Sequence, residues 1–327
     1  MGASFPERHW YRFSWLSALL APLSLGFGAV AGVRRFAYRA GWFRAERLPV
    51  PVVVVGNLVV GGTGKTPLVL WLAAALRARG FRPAIVSRGH GGANERPREV
   101  AVGGEAVRYG DEPLLLAERS GVPVWIGRDR VQAARAAIAA HPDRDLVICD
   151  DGLQHYALAR DFEIAVEDER GYGNGLLLPA GPLREPPSRQ VDATVVNGAP
   201  ARPGAFAMRL EAAGFRGVRD PQRTAAPDAL RGRRLHAVAG IGNPARFFAT
   251  LASLGLAFTP HAFPDHHAFA PADLDFPDCD AVLMTEKDAV KCRAFSRDDL
   301  YALRVEACVD ERLADLVALR LHGRQAA

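Results

Sequence analysis

The run Val50-Pro51-Val52-Val53-Val54-Val55 leads through Gly56-Asn57-Leu58-Val59-Val60 into Gly61-Gly62-Thr63-Gly64-Lys65-Thr66-Pro67. A β-branched stretch without polar alternation suits a strand covered on both faces, as in the middle of a parallel sheet. The glycines that follow let successive backbone N–H groups curl around a phosphate chain where a helix begins. Lys65 then places a cation at the β/γ-phosphate oxygens, and the Thr66 hydroxyl is suited to ligate Mg²⁺. Gly61, Gly62, Thr63, Gly64, Lys65 and Thr66 are therefore the expected nucleotide cradle. Val59 stands where the first glycine of the common G-x-x-x-x-G-K-T spacing would fall, so the loop entrance is expected to differ from that of small GTPases.

Downstream, helical segments alternate with short apolar runs. Helices are expected over residues 67–79, 112–119 and 130–140, and strands over 83–87, 146–149, 162–166 and 193–196. This rhythm predicts an α/β, P-loop NTPase-like, doubly wound and mainly parallel sheet. The strand at 146–149 ends in Asp150-Asp151, which sets two carboxylates beside the cradle. Asp150 is the candidate Mg²⁺ acid, and Asp151 can orient a reacting group. Gln154 and His155 follow within one turn and are expected to face the same cleft. Guanine-selective proteins carry N/T-K-x-D, but in Thr285-Glu286-Lys287-Asp288 lysine and aspartate are adjacent, so ATP is the expected nucleotide. Partition and nitrogenase-type ATPases place a lysine where this chain has Val60.

A Pro/Gly/Arg-rich stretch over 200–234, with one expected strand at 205–210, reads as a hinge. Strands at 235–239, 257–263, 281–285 and 300–305, with a helix near 245–254, predict a second, smaller α/β lobe. At the other end, residues 13–33 form 21 positions without formal charge, bounded by Arg12 and by Arg34-Arg35. Their length suits a membrane-inserted helix, weakened by Pro22 and several glycines, while Trp10, Tyr11, Trp15 and Trp42 suit an interface. A signal peptide and a buried core helix are the competing readings of this segment. The expected division is residues 1–45 as membrane-associated helix and flank, 46–200 as P-loop core, 201–234 as connector and 235–327 as the smaller lobe.

Composition narrows the function classes. Lys and Arg number 41 against 36 Asp and Glu, a formal charge of +5, too mild and too evenly mixed to point to nucleic acid. Cys149, Cys279, Cys292 and Cys308 lie far apart, which excludes a zinc ribbon and a disulfide framework.

The chain resembles the tetraacyldisaccharide 4′-kinase family of lipid A synthesis over nearly its whole length. The matching strings are Val55-Gly56-Asn57 leading into the cradle, Ser87-Arg88-Gly89, Gly110-Asp111-Glu112-Pro113, Asp150-Asp151-Gly152-Leu153-Gln154-His155, Gly173-Asn174-Gly175, Leu178-Pro179-Ala180-Gly181-Pro182-Leu183-Arg184-Glu185, Gly240-Ile241-Gly242-Asn243-Pro244, Asp265-His266-His267 and Thr285-Glu286-Lys287-Asp288. The resemblance implies transfer of the ATP γ-phosphate, with Mg²⁺, to the 4′-hydroxyl of a tetraacyl disaccharide 1-phosphate lipid at the cytoplasmic face of the inner membrane. It also implies Asp111 as proton acceptor, assisted by His266, with Arg184 gripping a phosphate. His90 stands where the family commonly has tyrosine.

From the residues alone, Asp111 also fits a plain helix cap before Pro113, and either His266 or His267 could face the site. Arg128 and Arg130 are weaker phosphate candidates at a helix start. Two other functions compete with the lipid kinase: a membrane-associated P-loop switch, and a soluble ATP-dependent kinase or ligase whose residues 13–33 are core.

Overall fold

A computed structural model describes residues 9–89 and 96–325; His90 lies outside them. In chain order the first elements are α1 (Trp15–Arg39), β1 (Val52–Gly56), α2 (Lys65–Ala78), β2 (Pro83–Ser87), β3 (Arg98–Glu99), α3 (Ala106–Tyr109), α4 (Asp111–Ser120), β4 (Val124–Ile126), α5 (Arg130–Ala140), β5 (Leu146–Asp150), β6 (Phe162–Asp168) and β7 (Ala193–Asn197). Then come β8 (Phe206–Gly217), β9 (Thr224–Ala225), α6 (Pro227–Leu230), β10 (Leu235–Ala239), α7 (Pro244–Ser253), β11 (Phe258–Ala262), β12 (Ala281–Thr285), α8 (Glu286–Cys292), β13 (Leu300–Val309) and α9 (Arg312–Gln325).

β1 is buried along its whole length and pairs in parallel with β5 on one side and β6 on the other. That central position is why it needs no polar face: each buried valine contributes roughly 1.5–3 kcal/mol of burial on either side of the sheet. The register sets Val55 opposite Asp150, so the strand tip carrying the twin acids ends beside the strand that enters the glycine-rich loop.

All strands among the described residues belong to one sheet in the order β11-β10-β12-β13-β8-β7-β6-β1-β5-β2-β4-β3, with β9 against β8. The segment expected as a connector therefore carries the strand that joins the two halves. β8 runs parallel to β7 through Phe206–Met208 positions and antiparallel to β13 along most of its length. Its buried and exposed residues alternate, as in a two-stranded ribbon with one wet face. Two cores cover the two sides of the first half, and two smaller ones cover the second.

α1 inverts the usual pattern of a surface helix. Its buried residues are Ser17, Ser24 and Ala37, whereas Leu19, Leu23 and Val30 are 67%, 62% and 71% exposed. The small face docks on the loop before Arg184. Ser24 Oγ donates to Leu177 O at 2.8 Å and accepts from Ala180 N at 2.9 Å, and Asn174 Nδ2 donates to Ser17 Oγ at 3.2 Å. Trp10 Nε1 adds a bond to Pro179 O at 3.0 Å. By length and composition α1 is suited to enter a membrane, and the core-helix reading fails because so little of it is buried.

Candidate active site

The glycine-rich loop bends sharply at Gly61 and Gly64, whose φ angles are +105° and +96°. A side chain at Gly64 would collide with Asn197, since a Cβ there would stand 2.4 Å from Asn197 Nδ2. The loop is braced from below: Asn57 Nδ2 donates to Gly61 O at 3.1 Å, Asn197 Nδ2 to Thr63 O at 3.0 Å, and Arg170 Nη2 to Gly62 O at 2.9 Å. Val59 bridges to Leu183, and Val60 N donates to Pro182 O, so the valines at the loop entrance pair with the strand-like segment that delivers Arg184. That pairing is the structural use of the missing first glycine.

Lys65 Nζ lies 3.6 Å from Asp151 Oδ1, and Arg184 Nη1 lies 3.2 Å from both carboxylate oxygens of the same residue. Burial pushes the Asp151 carboxyl up, but the charges of Lys65 and Arg184 overcome it and hold its pKa at about 2. Asp150 responds oppositely. Burial, then the neighbouring charges of Glu112 and Asp151, raise it to about 7 despite Lys65 and a hydrogen bond from Ser87 Oγ at 3.0 Å. Its Oδ1 is buried and has no hydrogen-bond partner among the described residues.

Asp111 opens α4, buried at 5% exposure. Its Oδ1 accepts from Glu112 N at 2.8 Å and its Oδ2 meets His266 Nδ1 at 3.1 Å. Burial pushes this carboxyl up, yet the hydrogen bond with His266 and the charges of Lys287 and Lys291 bring it below its ordinary 3.8. The same hydrogen bond raises His266 above its ordinary 6.5, against burial and Lys287. His266, at φ +60°, is the histidine that faces the site. His267 instead donates from Nε2 to Asp273 Oδ2, 3.0 Å away, and stacks on Phe263.

Lys65, Asp151, Arg184 and His266 line one cleft of about 920 Å³, and the buried Asp111 is bonded to His266 at its edge. The loop from Gly61 to Pro67 forms one wall, and Ile241, Gly242, Asn243, Asp265 and His266 of the second half form the other. A Cβ on Gly242 would stand 3.0 Å from Gly62 N, which explains a glycine at that position. Trp10 reaches the same cleft, so the cradle and the twin-acid turn open toward the docked end of α1.

Two expected members turn elsewhere. Gln154 Nε2 donates to Asn57 O at 3.2 Å and so supports the loop from behind. His155 sits 3.8 Å from Asp129, and burial together with the Arg130 charge lowers its pKa to about 4. Arg130 is itself buried and donates from Nη1 and Nη2 to the carbonyls of Gly127, Arg128 and Asp151. The sequence shows no sign of a role for Arg170 or Arg246, and it marks Lys287 only as one of three residues at a strand end that could support the cleft or the contact between lobes. Arg170 forks Asp168 and braces the cradle, Arg246 pairs with Glu169 at 2.9 Å across the cleft, and Lys287 meets Glu112 at 3.0 Å. No local spacing marks the first two.

A phosphate cradle facing a carboxylate and imidazole pair across a cleft between two α/β halves defines a P-loop phosphotransferase. The family model described as tetraacyldisaccharide-1-P 4′-kinase matches residues 16–322. The chain belongs to this family. A tetraacyldisaccharide 4′-kinase of Azoarcus sp. (strain BH72) is 54% identical over 94% of this chain and 92% of its own length. That of Methylobacillus flagellatus is 49% identical over 98% of each. The structure of LpxK from Aquifex aeolicus, in complex with ATP, matches with a TM-score of 0.80 at 29% identity, covering 94% of this chain and 99% of that one.

Proposed function

We propose that this kinase transfers the γ-phosphate of ATP to the 4′-hydroxyl of a tetraacyl disaccharide 1-phosphate presented from the cytoplasmic face of the inner membrane. The observation that carries this reading is the cleft lined by the cradle, by His266, whose imidazole is bonded to the buried Asp111, and by Trp10 at the root of an apolar helix. Lys65 and the loop amides hold the β and γ phosphates in line with the acceptor. Asp111 takes the hydroxyl proton as the acceptor oxygen bonds to the γ-phosphorus and the bond to the β-phosphate oxygen breaks, releasing ADP. His266, as an imidazolium, steadies the ionised carboxylate, and the proton taken by Asp111 leaves to solvent after ADP is released. Arg184, held by Asp151, is placed to meet a phosphate.

The residues fit Mg²⁺: Asp150 offers a buried oxygen without a hydrogen-bond partner among the described residues, and Thr66 stands at the start of α2. Thr66 and Asp150 would hold the ion, which when bound supplies neutralisation of phosphate charge. The exposed leucines and valines of α1 suit a lipid phase better than water, and Arg34, Arg35 and Arg39 at its end suit anionic headgroups.

Incubating the detergent-purified protein with γ-labelled ATP, Mg²⁺ and the disaccharide 1-phosphate lipid should place label at the 4′ position. Label found only as free phosphate would reject the acceptor assignment, and the switch reading would then gain.

A further inference from the structure

The string Thr285-Glu286-Lys287-Asp288 has no part in the steps above, yet it aims its lysine at the proposed base. Lys287 Nζ lies 3.0 Å from Glu112 Oε1, 3.3 Å from Asp265 Oδ1 and 4.0 Å from Asp111 Oδ2. Asp111 and Glu112 open α4 in the first half, whereas Asp265 precedes His266 on the loop after β11 in the second. One ammonium group therefore ties together the two backbone segments that carry the pair. The lysine is itself anchored. Asp288, the next residue, is fully buried, accepts from Gly240 N at 3.0 Å and from Thr285 Oγ1 at 2.7 Å, and so fixes α8 to the end of β10.

We propose that Lys287 is a positioning residue for phosphoryl transfer: it holds Asp111 and His266 in register across the cleft and keeps Asp111 ionised, without touching the reacting atoms. The proposal rests on the reading of Asp111 as base. An ammonium group has three donors, and three carboxylates surround this one, which leaves it poorly placed to serve a nucleotide phosphate as Lys65 does. Three cations, Lys287, Lys291 and protonated His266, face four carboxylates, Asp111, Glu112, Asp265 and Asp288. Lys291 also stands 4.0 Å from Asp111, but Asp288 at 2.7 Å offsets its charge. Removing Lys287 leaves two cations against four carboxylates around a buried acid, and such an acid takes up a proton.

The test is steady-state kinetics of the full chain in detergent micelles, at saturating Mg²⁺ so that Asp150 contributes alike to every profile. Lys287→Met should lower kcat roughly 10²-fold, leave the KM for ATP nearly unchanged, and move the acid limb of the kcat profile to higher pH. Lys287→Arg should recover most of the rate and the original limb. Removing the lysine alone orphans Glu112, so the double variant Lys287→Met with Glu112→Gln is measured beside it and should show the same displaced limb. An unmoved limb in a folded, ATP-binding variant would overturn the proposal. So would loss of cooperative unfolding in both Met variants, since Lys287 would then serve the fold rather than the site. Asp111→Asn separates the two readings. Full turnover in that variant removes Asp111 as base, whereas a dead Asp111→Asn beside an unmoved limb in the lysine variants removes Lys287 alone.

Discussion

Asp111 and His266 stand 155 positions apart in the chain and 3.1 Å apart in space. Nothing local to either residue announces the other. From residue types alone Asp111 fits a helix cap, and what separates the two readings is that its Oδ2 turns to the imidazole of the second half rather than to the helix. The pair has a definite pH signature. His266, raised above 6.5 by the bond to Asp111, contributes fully below that value and loses its contribution as pH rises through the folded pKa. Asp111, lowered below 3.8, contributes above that value and loses it as pH falls through its folded pKa. A double-mutant cycle of Asp111→Asn and His266→Gln should therefore give a coupling on the order of 1 kcal/mol, discounted for the solvent reaching His266. It should be largest between those limits and shrink on the alkaline side. A coupling that is flat from mildly acidic to alkaline pH would mean that no charge pairing exists there.

Among the elements, those with a strong period or a fully apolar run were legible in the sequence: β1, β5, β6, α2 and α5 stand where the pattern put them, within a residue or two. The cradle and twin acids were legible for the same reason, being fixed by strand tips. Shorter pieces were not. β4 has three residues, and α8 begins directly at the end of β12, with Thr285 as its cap, so neither has room for a full hydrophobic period. β8 was read short because half of its side chains are wet and its composition resembles a loop. α1 shows the opposite difficulty, since only the fold reveals which face is apolar toward solvent. Leu19, Leu23 and Val30 touch no core, so changing all three to Ser should leave thermal stability unchanged while vesicle co-sedimentation falls by roughly 10²-fold or more, as each loss of apolar burial costs about 1.5–3 kcal/mol. Ser24→Leu should do the reverse. It removes two hydrogen bonds at the docking face and destabilises by about 1–3 kcal/mol, with vesicle binding retained. Equal vesicle binding by the triple variant and the parent would show that α1 does not carry the contact with lipid.

At the scale of the molecule, the two halves share one sheet but meet at the cleft through charge. α4 of the first half faces α8 of the second with Arg119 on Glu286 at 2.7 Å, Glu118 on Arg293, and Glu112 on Lys287 at 3.0 Å. The Arg119 and Glu286 side chains are only 14% and 15% exposed, and burial raises the Glu286 pKa and lowers that of Arg119. The pair is nonetheless well satisfied, because Arg119 also donates to Val305 O at 2.8 Å and Glu286 accepts from Val305 N at 3.2 Å. A buried pair of this kind is weak as a source of net stability and costly to break from one side. Arg119→Met should therefore destabilise by about 3–5 kcal/mol, since it leaves Glu286 buried beside a backbone bond that cannot neutralise it. The double variant Arg119→Met with Glu286→Leu should regain most of that loss, because two apolar side chains can pack where two charges had to be desolvated. Thermal unfolding of the three proteins decides the matter. If the double variant unfolds as early as the single one, the contact depends on charge for its energy and not merely for its geometry, and the ion pairs between α4 and α8 are then what holds Asp111 within reach of His266.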